Sequence, residues 1–461
     1  MDIKRKIDSF LMDWKGRADH KPLIVKGARQ IGKTFSVIKF ARNNYANVVE
    51  VNFALQPQYA SIFEDGYEVD KILKNISLLQ PTVNLTPHDT LIFFDEIQQQ
   101  PAAATCLKAF CMDGRYDVIC SGSLMGISYK EIESNSVGYK EDFDMKSMDF
   151  EEFLWAKGYG EQVIEELFRK MLRVEPLSTT EMEVMTSAFN DYIVVGGMPA
   201  IVKKYLENNT FAGVLTMQQQ LLRDYDEDIT KYATGLDKAK VRAVYNHIPV
   251  FLGQPNKKFQ ISKVAHGARG REYVGTVEWL NDAGVVNTCY CMGEPSLPLK
   301  GNYIPNNYKI YYHDTGLLIA SLDEEAQQDL RENKNFNTYK GAIYENIVSE
   351  MLVKQGYSLY FYRNEKSTVE IDFFVRDSES LVPLEVKAQD GATASLNKVI
   401  GDGEKYADIK YGIKLANKNI GYNGKFYTFP YFLTFLLKRF LQQPRLKTEL
   451  TIPPHPLIKH S

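Results

Sequence analysis

The residues best suited to chemistry lie near the N-terminus, in a glycine-rich segment at residues 27–34 with the sequence GARQIGKT. A turn of this kind points backbone N–H groups at phosphate oxygens, and the N-terminus of a following helix adds partial positive charge. Gly27 and Gly32 would permit close approach of the phosphates. Lys33 would reach the terminal phosphates, and Thr34 would be a ligand of Mg²⁺. The segment therefore predicts a phosphate-binding loop.

A second segment, residues 91–96 (LIFFDE), reads as an apolar strand that ends in two carboxylates. Asp95 would hold Mg²⁺ through water, and Glu96 would polarise an attacking water as a general base. The simpler interpretation is a strand that ends in solvated acids. The loop and the strand together favour a nucleotide-hydrolysing site.

Other side chains are candidate contacts for the nucleotide, which we expect to be ATP with Mg²⁺. A third apolar strand leads into Ser121 and Ser123, either of which would sense the terminal phosphate; a plain turn is the alternative. Phe35 follows the loop in the next helix and is also a candidate contact. Arg29 and Arg223 could reach the terminal phosphate, although a structural or solvated role is the simpler interpretation of each.

The elements around these residues read as alternating strands and helices. Short β-rich runs at residues 23–25, 48–53, 91–94 and 117–120 alternate with helical segments. Such alternation predicts a parallel sheet covered on both faces. We therefore assign residues 1–155 to an α/β domain with the P-loop fold.

The next part of the chain reads as helical. Residues 156–230 are predicted to form a helical lid, which a turn interrupts at residues 196–199 (GGMP). Residues 231–330 combine three short helices with a β-hairpin, and this order predicts a winged helix. The predicted helices are Lys238–Phe251, Ile261–His266 and Arg271–Asp282, and the predicted strands are Val285–Met292 and Tyr308–Tyr312.

Basic residues near the third of these helices make DNA an expected partner. Arg269 and Arg271 lie where a recognition helix enters the major groove, with Lys263 and His266 nearby. Acidic residues on the same helix would repel phosphate. A role in protein contact, or as a rigid spacer, is the alternative.

The C-terminal block, residues 335–445, contains a second candidate site. Asp372 and Glu385 lie on adjacent predicted strands, and Glu385 and Lys387 share a face because alternate strand residues point the same way. Two carboxylates can hold Mg²⁺ and a lysine can help to activate water, so these three residues are predicted to be catalytic. Glu345, on the preceding helix, could be a further acid; paired surface charges are the alternative. The predicted elements are a helix at Ile343–Gln355 and strands at Ser358–Arg363, Thr368–Val375 and Leu381–Val386.

These motifs resemble those of AAA+ and related ATPases, in which a glutamate directly follows the strand-end aspartate. Residues 27–34, 149–154 (DFEEFL) and 196–199 sharpen the resemblance to a large prokaryotic family of AAA-type ATPases whose biological role is mostly uncharacterised. The resemblance covers nearly the whole chain. One departure is Gly138-Tyr139-Lys140, where such proteins often carry Gly-Arg before the last strand of the ATPase sheet, which puts an arginine role there in doubt.

The resemblance also implies the fold of the later domains. It implies a winged helix followed by an α/β domain of the restriction-endonuclease-like fold, whose Asp…Glu-x-Lys pattern maps to Asp372, Glu385 and Lys387. Domains of this fold cut nucleic acid, or only bind it or act as scaffolds. AAA+ proteins often form rings, so an oligomer is compatible with the sequence, but no arginine finger can be assigned.

Composition limits the remaining alternatives. The 461 residues have a formal net charge of -3, so any nucleic acid must be bound by a local basic patch. Five scattered cysteines suit a reducing compartment, and none forms a zinc motif. No signal-peptide core follows the first residues, and no apolar run reaches the ~18 residues that a membrane span needs. We expect a cytoplasmic protein with no membrane partner and a loose tail at residues 446–461.

Three functions fit these observations. The first is an ATPase associated with nucleic acid, whose C-terminal domain binds or cuts it. The second is a regulatory or signalling switch in which ATP acts through protein partners without cleavage. The third is a simple NTPase with an inactive C-terminal domain.

Overall fold

The computed structural model describes residues 2–123, 136–233, 235–254, 257, 259–260, 263–264, 270–273, 275–322, 325–331, 338–364, 366, 368–387 and 393–443. The helices are α1 (Lys6–Gly16), α2 (Lys33–Asn44), α3 (Val69–Leu79), α4 (Ala102–Thr105), α5 (Leu107–Asp113), α6 (Phe150–Ala156), α7 (Glu161–Arg173), α8 (Thr179–Val195), α9 (Pro199–Asn208), α10 (Val214–Tyr232), α11 (Lys238–Leu252), α12 (Thr276–Asp282), α13 (Thr315–Ala320), α14 (Ala326–Arg331), α15 (Thr338–Lys354), α16 (Ala394–Gly401) and α17 (Leu437–Leu441). The strands are β1 (Leu23–Gly27), β2 (Asn47–Asn52), β3 (Thr90–Asp95), β4 (Asp117–Ser123), β5 (Glu141–Asp144), β6 (Val286–Met292), β7 (Tyr303–Tyr312), β8 (Leu359–Arg363), β9 (Glu370–Ile371), β10 (Phe373–Arg376), β11 (Leu381–Lys387), β12 (Gly412–Ala416), β13 (Gly421–Tyr422) and β14 (Phe426–Pro430). In this part of the chain no helix combines the length and the apolar character that crossing a membrane requires.

The N-terminal block is a five-stranded parallel sheet in the order β2-β3-β4-β1-β5. Successive side chains along its central strands point alternately into two hydrophobic cores. Leu91 and Phe93 of β3 pack in the core that contains α1 and α2, whereas Ile92 and Phe94 pack in the core that contains α3 and α5. Successive strand residues point to opposite faces, so both faces of the sheet are covered. The predicted α/β sheet is confirmed.

The edge strand β5 lacks the apolar run that marks the other strands of this sheet in the sequence. Its sequence is Glu-Asp-Phe-Asp, yet it pairs in parallel with β1, from Leu23 opposite Glu141 to Lys26 opposite Asp144. The buried Lys26 ammonium lies 2.9 Å from the Asp142 carboxylate. Polar residues are tolerated in this strand because it lies at the edge of the sheet.

Helices α6 to α10 follow, as the sequence predicts, and the break at residues 196–199 is a point of close packing. Gly196 has φ 74° and ψ -169°, a conformation that only glycine adopts readily. The N–H of Gly197 donates to Asp314 Oδ2 at 2.8 Å. The carbonyl oxygen of Gly197 accepts from the N–H of Met148 at 2.7 Å. The glycines let the lid backbone touch both the ATPase sheet and the start of α13.

The predicted winged-helix block agrees with the structure in part. The first predicted helix is α11, and the second lies mostly outside the described residues. The third prediction, Arg271–Asp282, is too long: α12 begins at Thr276 because Gly275 caps it with a left-handed φ of 79°. Strands β6 and β7 form the predicted antiparallel hairpin, which has an irregularity between Tyr290 and Cys291.

The hairpin does not stand apart from the C-terminal block. Strand β6 also pairs in parallel with β8, and β8 pairs with β9, giving a four-stranded sheet in the order β7-β6-β8-β9. A second five-stranded sheet has the order β10-β11-β12-β14-β13. The predicted single strand Thr368–Val375 is wrong: it splits at Asp372 into β9 and β10, which belong to different sheets. Asp372 therefore lies where the two sheets meet.

Buried polar groups join the blocks beneath the surface. The Glu350 carboxylate of α15 accepts from the N–H and the hydroxyl of Thr315, at 2.7 and 2.6 Å, and from the Tyr192 hydroxyl at 2.9 Å. Lys354 lies 2.6 Å from Glu350 and donates to the carbonyl oxygen of Met148 at 2.9 Å. Since buried polar groups must be paired, these contacts fix the lid, the hairpin block and α15 relative to the ATPase sheet.

We expect Gly196→Ala to lower the free energy of unfolding by roughly 2–4 kcal/mol, because strain and a steric clash add. A Cβ atom there would lie 2.1 Å from Asp314 Oδ1. Gly158→Ala is the matched control, since Gly158 has a φ of 92° but nothing within 4 Å of the added atom. Chemical denaturation followed by circular dichroism measures both. Equal losses in the two variants would show that the contact with Asp314 is unimportant.

Candidate functional site

The loop between β1 and α2 needs its glycines because neighbouring groups approach it closely. A Cβ atom on Gly27 would lie 2.4 Å from the carbonyl oxygen of Met145 and 2.3 Å from Ile31 Cδ1. Gly32 has a φ of 93°, a left-handed value that favours glycine. The loop follows a fully buried strand and leads directly into a helix, which is the setting that a phosphate-binding loop requires.

Lys33 is folded back onto this loop. Its ammonium donates to the carbonyl oxygens of Gly27, at 3.1 Å, and Ala28, at 2.7 Å. Burial lowers the pKa of the Lys33 ammonium to about 8, against the opposing effect of nearby Glu96 and Asp95. The cation is held by weak neutral acceptors, so a phosphate oxygen would be a stronger partner for it.

The Asp95 carboxylate, at the end of β3, organises the next part of the site. Its Oδ2 accepts from the Thr34 hydroxyl at 3.0 Å and from the Asn52 amide at 2.9 Å. Its Oδ1 accepts from the Ser121 hydroxyl. A hydroxyl beside a carboxylate provides the oxygen ligands that Mg²⁺ prefers, so Thr34 and Asp95 fit the predicted metal site. Asn52 is a contact that the sequence pattern did not single out.

Glu96 directly follows and is held in an unusual conformation. It has a left-handed φ of 57°, and its carboxylate accepts from the Gln98 amide. Gln98 Oε1 in turn accepts from the N–H of Ser123 at 3.3 Å. The Ser123 hydroxyl is buried without a hydrogen-bond partner among the residues the structure describes. Gln98 therefore links the predicted base to the predicted sensor strand, a role that spacing alone did not indicate.

A cavity of about 770 Å³ joins these groups to the lid. Phe35, 60% exposed, forms part of its wall, and Lys203 of α9 forms another part. The lining residues include Arg29, Gly32, Lys33, Thr34, Phe35 and Glu96. The structure thus brings most of the predicted loop and strand residues to one space, in which a nucleotide can be enclosed.

Arg5 is a site residue that the sequence analysis missed. Its guanidinium is buried and donates to the carbonyl oxygens of Ile31, at 2.9 Å, and Lys146, at 2.8 Å. It also forms a 3.0 Å ion pair with Glu152. Five fixed donors suit Arg5 to tie the loop to the end of the sheet. The sequence pattern placed Arg5 inside an amphipathic helix predicted over residues 3–14, whereas α1 begins at Lys6 and Arg5 directly precedes it.

Helix α10 holds the loop from the lid side. Arg29 Nε lies 2.9 Å from Asp228 Oδ2, and the Arg29 guanidinium donates to the Tyr232 hydroxyl at 3.1 Å. Gln30 donates to Asp224 at 2.9 Å. Arg29 is therefore engaged with the lid rather than free in the cavity, whereas Arg223 is hydrogen-bonded to its neighbour Gln220.

The C-terminal acids form a buried cluster with lysines. The Glu345 carboxylate lies beside the Lys257 ammonium and 3.7 Å from the Lys309 ammonium. Burial raises the pKa of Asp372, the nearby Glu345 raises it further, and Asp372 Oδ2 accepts from the N–H of Val386 at 2.8 Å. The charge of Glu345 thus acts on the buried Asp372, and a shared site for these two acids stays a prediction.

Glu385 and Lys387 share a face of β11, as predicted. Their charged groups are 2.7 Å apart, and Glu385 Oε2 has no hydrogen-bond partner in the described ranges. Burial raises the pKa of Glu385 against the opposing charge of Lys387. Within the described residues no group of three or more His, Cys, Asp or Glu side chains is placed to hold a metal ion. The assignment of Asp372 and Glu385 as metal ligands stays a prediction.

The predicted DNA-contacting residues are only partly described. Arg269 and His266, and the side chain of Arg271, lie outside the described residues. The Lys263 ammonium donates to Gln254 at 3.2 Å. A role for this block in DNA contact stays a prediction.

Three segments of the chain match known protein families. Residues 19–154 match a family described as an AAA domain. Residues 186–328 match a domain of unknown function, DUF8612, and residues 340–432 match another, DUF4143. No curated protein matches the sequence significantly.

Several solved structures are similar over much of the chain at low identity. The Walker-type ATPase of Pyrococcus abyssi is 13% identical, and the match covers 69% of this chain and 96% of that one with a TM-score of 0.42. The ORC1 protein of Aeropyrum pernix, in complex with DNA, is 10% identical over 71% and 91% of the two chains, with a TM-score of 0.29. The RuvB Holliday junction branch migration motor of Thermotoga maritima is 12% identical over 73% and 96%, with a TM-score of 0.29.

The matched AAA segment contains the glycine-rich loop, the strand that ends in Asp95 and Glu96, and all five strands of the parallel sheet. The polar strand end at Ser121 belongs to β4, which lies between β3 and β1 in the sheet. Residues 19–154 of this chain therefore match the AAA domain family and contain the loop, the strand order and the strand-end acids of the P-loop fold.

Proposed function

We propose that the chain binds ATP with Mg²⁺ and hydrolyses it in the cavity between the loop, β3 and α9. The supporting observation is that Lys33, Thr34 and Glu96 line this one cavity. Asp95 accepts a hydrogen bond from the Thr34 hydroxyl and so lies next to them. A phosphate chain, a divalent cation and an attacking water would each find a side chain of fitting chemistry there.

Each of these residues has a distinct part in the proposal. Thr34 and Asp95 would hold Mg²⁺, which when bound neutralises negative charge on the phosphates. Lys33 would exchange its hydrogen bonds to the loop carbonyls for bonds to phosphate oxygens. Glu96, oriented by Gln98, would take the proton of the attacking water.

Substitutions of Lys33 and Glu96 should distinguish ATP binding from ATP hydrolysis. We expect Lys33→Ala to abolish ATP turnover, and Glu96→Gln to slow it by about 10²-fold or more while ATP still binds. Steady-state phosphate release and equilibrium ATP binding measure the two effects. Glu50→Gln on the neighbouring strand is the control, since its side chain is exposed on β2. Full turnover in Glu96→Gln would remove that residue from the mechanism.

The lowered pKa of Lys33 predicts proton uptake on ATP binding. Above about pH 8 part of the free protein carries a neutral Lys33, and phosphate favours the charged form, so binding should take up a proton. Near pH 7 the ammonium is already charged and little uptake is expected. Calorimetric titration in buffers of different ionisation enthalpy measures the uptake. Lys33→Arg, which stays charged, is the control; equal uptake in both proteins at about pH 8.5 would contradict the assignment.

We further propose that the ATPase is associated with nucleic acid through the winged-helix-like block and a nuclease-like C-terminal domain. Support comes from the C-terminal acids, because Asp372 accepts a hydrogen bond from the N–H of Val386 on β11, the strand that also carries Glu385 and Lys387. Lysines among buried acids suit recognition of a phosphate backbone as well as metal-assisted cleavage.

One observation favours the second function, a switch that acts through protein partners. Helix α10 holds Arg29 and Gln30 of the loop, and Glu350 and Lys354 connect the lid to the C-terminal block. A nucleotide that displaced Arg29 from Asp228 would change contacts far from the site. Such coupling needs no cleavage of nucleic acid.

The response of the protein to added DNA distinguishes the nucleic-acid-associated ATPase from the switch that acts through protein partners. If the first is right, duplex or single-stranded DNA should raise ATP turnover, and Mg²⁺-dependent cleavage should fall about 10²-fold or more in Asp372→Asn with ATP turnover unchanged. Gel-resolved cleavage and phosphate release are the measurements, and Glu404→Gln, an exposed acid of the same domain, is the control. Neither cleavage nor stimulation by DNA in the wild type would favour the switch.

A further inference from the structure

A second cavity, of about 560 Å³, lies on the other side of the phosphate-binding loop. It is bounded by the loop, the segment after β5, the β6–β7 hairpin, and the end of α15 with β8. We call it the junction cavity. Its walls include Ala28, Lys146, Thr288, Tyr303, His313 and Lys354.

The junction cavity has an excess of positive charge. Lys146, Lys300 and Lys354 line it, against a single carboxylate, Glu350. Glu350 is already paired with Lys354 at 2.6 Å. Two lysines are therefore left for an anion to neutralise, one of them on the exposed hairpin loop.

Lys146 is the unusual member of this set. Its ammonium has no hydrogen bond or ion pair with any residue that the structure describes. Burial lowers its pKa, and nearby Lys354 lowers it further against the opposing charge of Asp144. A partly buried cation without a partner costs free energy, and a bound anion would recover that cost.

Two neutral groups in the same wall also lack partners. Burial lowers the pKa of His313 to about 4, so the ring is neutral near pH 7. Its Nδ1 donates to the carbonyl oxygen of Val285 at 2.9 Å, because a carbonyl can only accept, and this leaves Nε2 as an acceptor. His313 Nε2 and Thr288 Oγ1 are buried with no hydrogen-bond partner among the described residues.

Aromatic rings complete the lining. The rings of Tyr290 and Tyr303 have centroids 4.9 Å apart, and those of Tyr303 and Tyr360 have centroids 6.3 Å apart. Tyr303 is 40% exposed, which leaves ring surface open to a ligand. Tyrosine faces of this kind stack on nucleobases.

We propose that the junction cavity binds a nucleotide, with its phosphate at Lys146 and its base against the Tyr290–Tyr303 pair. The volume lies within the range of about 300–1,000 Å³ that is typical of small-ligand sites. A free mononucleotide and one nucleotide of a single strand both have this chemistry. The site is separate from the ATP site, since Ala28 and Ile31 face it whereas Arg29 and Gly32 face the other cavity.

The test uses the full chain carrying Lys33→Ala, so that the ATP site is weakened. AMP, which lacks the terminal phosphates that Lys33 would hold, is titrated by calorimetry, alongside inorganic phosphate and a single-stranded deoxyadenosine tetramer. We expect AMP or the tetramer to bind, and adding Lys146→Ala to weaken that binding about tenfold or more. Lys74→Ala, an exposed lysine on α3, is the matched control and should leave binding unchanged.

A second variant keeps the test independent of folding. Tyr303→Ala removes a half-exposed ring, so thermal melting should change little while AMP binding weakens about tenfold. Tighter binding of AMP than of the tetramer identifies a free mononucleotide, and the reverse identifies a strand. The proposal is overturned if neither binds, if Lys146→Ala and Lys74→Ala behave alike, or if inorganic phosphate binds as tightly as AMP.

Discussion

The backbone of residues 145–148, which follows the edge strand β5, is the place on which the rest of the structure depends. The N–H of Met145 donates to the carbonyl oxygen of Lys26 on β1 at 2.8 Å, and the carbonyl oxygen of Lys146 accepts from Arg5. The N–H and the carbonyl oxygen of Met148 bond to Gly197 and to Lys354. Because backbone groups in a buried segment must be paired, this segment cannot move without disturbing the loop, the lid and α15 together.

The same principle explains how the C-terminal block is attached. Lys257, Lys309 and Glu345 come from three separate parts of the chain, and each charge would be costly to bury without the others. Strand β8 also continues the sheet that begins with the β6–β7 hairpin. The hairpin and the C-terminal block are therefore joined by a shared sheet and by buried ion pairs, which is a stronger connection than a flexible linker would provide.

Local patterns were enough to predict which segments of the chain line the cavity that we propose to bind ATP. The loop at residues 27–34 and the strand that ends in Asp95 and Glu96 have periodicity and spacing that a single sequence displays. Arg5 could not be found in this way, because its partners Ile31 and Lys146 lie 26 and 141 residues away and depend on the packing of whole domains. The charged strand β5 lacks the apolar run that marks a buried strand, so only the resemblance placed a last strand after residues 138–140, and its pairing with β1 identifies it in the structure.

Placing the phosphate-binding loop between two cavities has a mechanical consequence. Ile31 lines the junction cavity, and its carbonyl oxygen is held by Arg5, which itself lines the ATP cavity. Arg5 also holds the carbonyl oxygen of Lys146, a residue that lines the junction cavity. One rigid guanidinium thus connects the walls of both cavities, and a ligand that shifted Lys146 would act on the loop through it. Coupling of this kind is reciprocal, so occupancy of the ATP site would in turn change the affinity of the junction cavity.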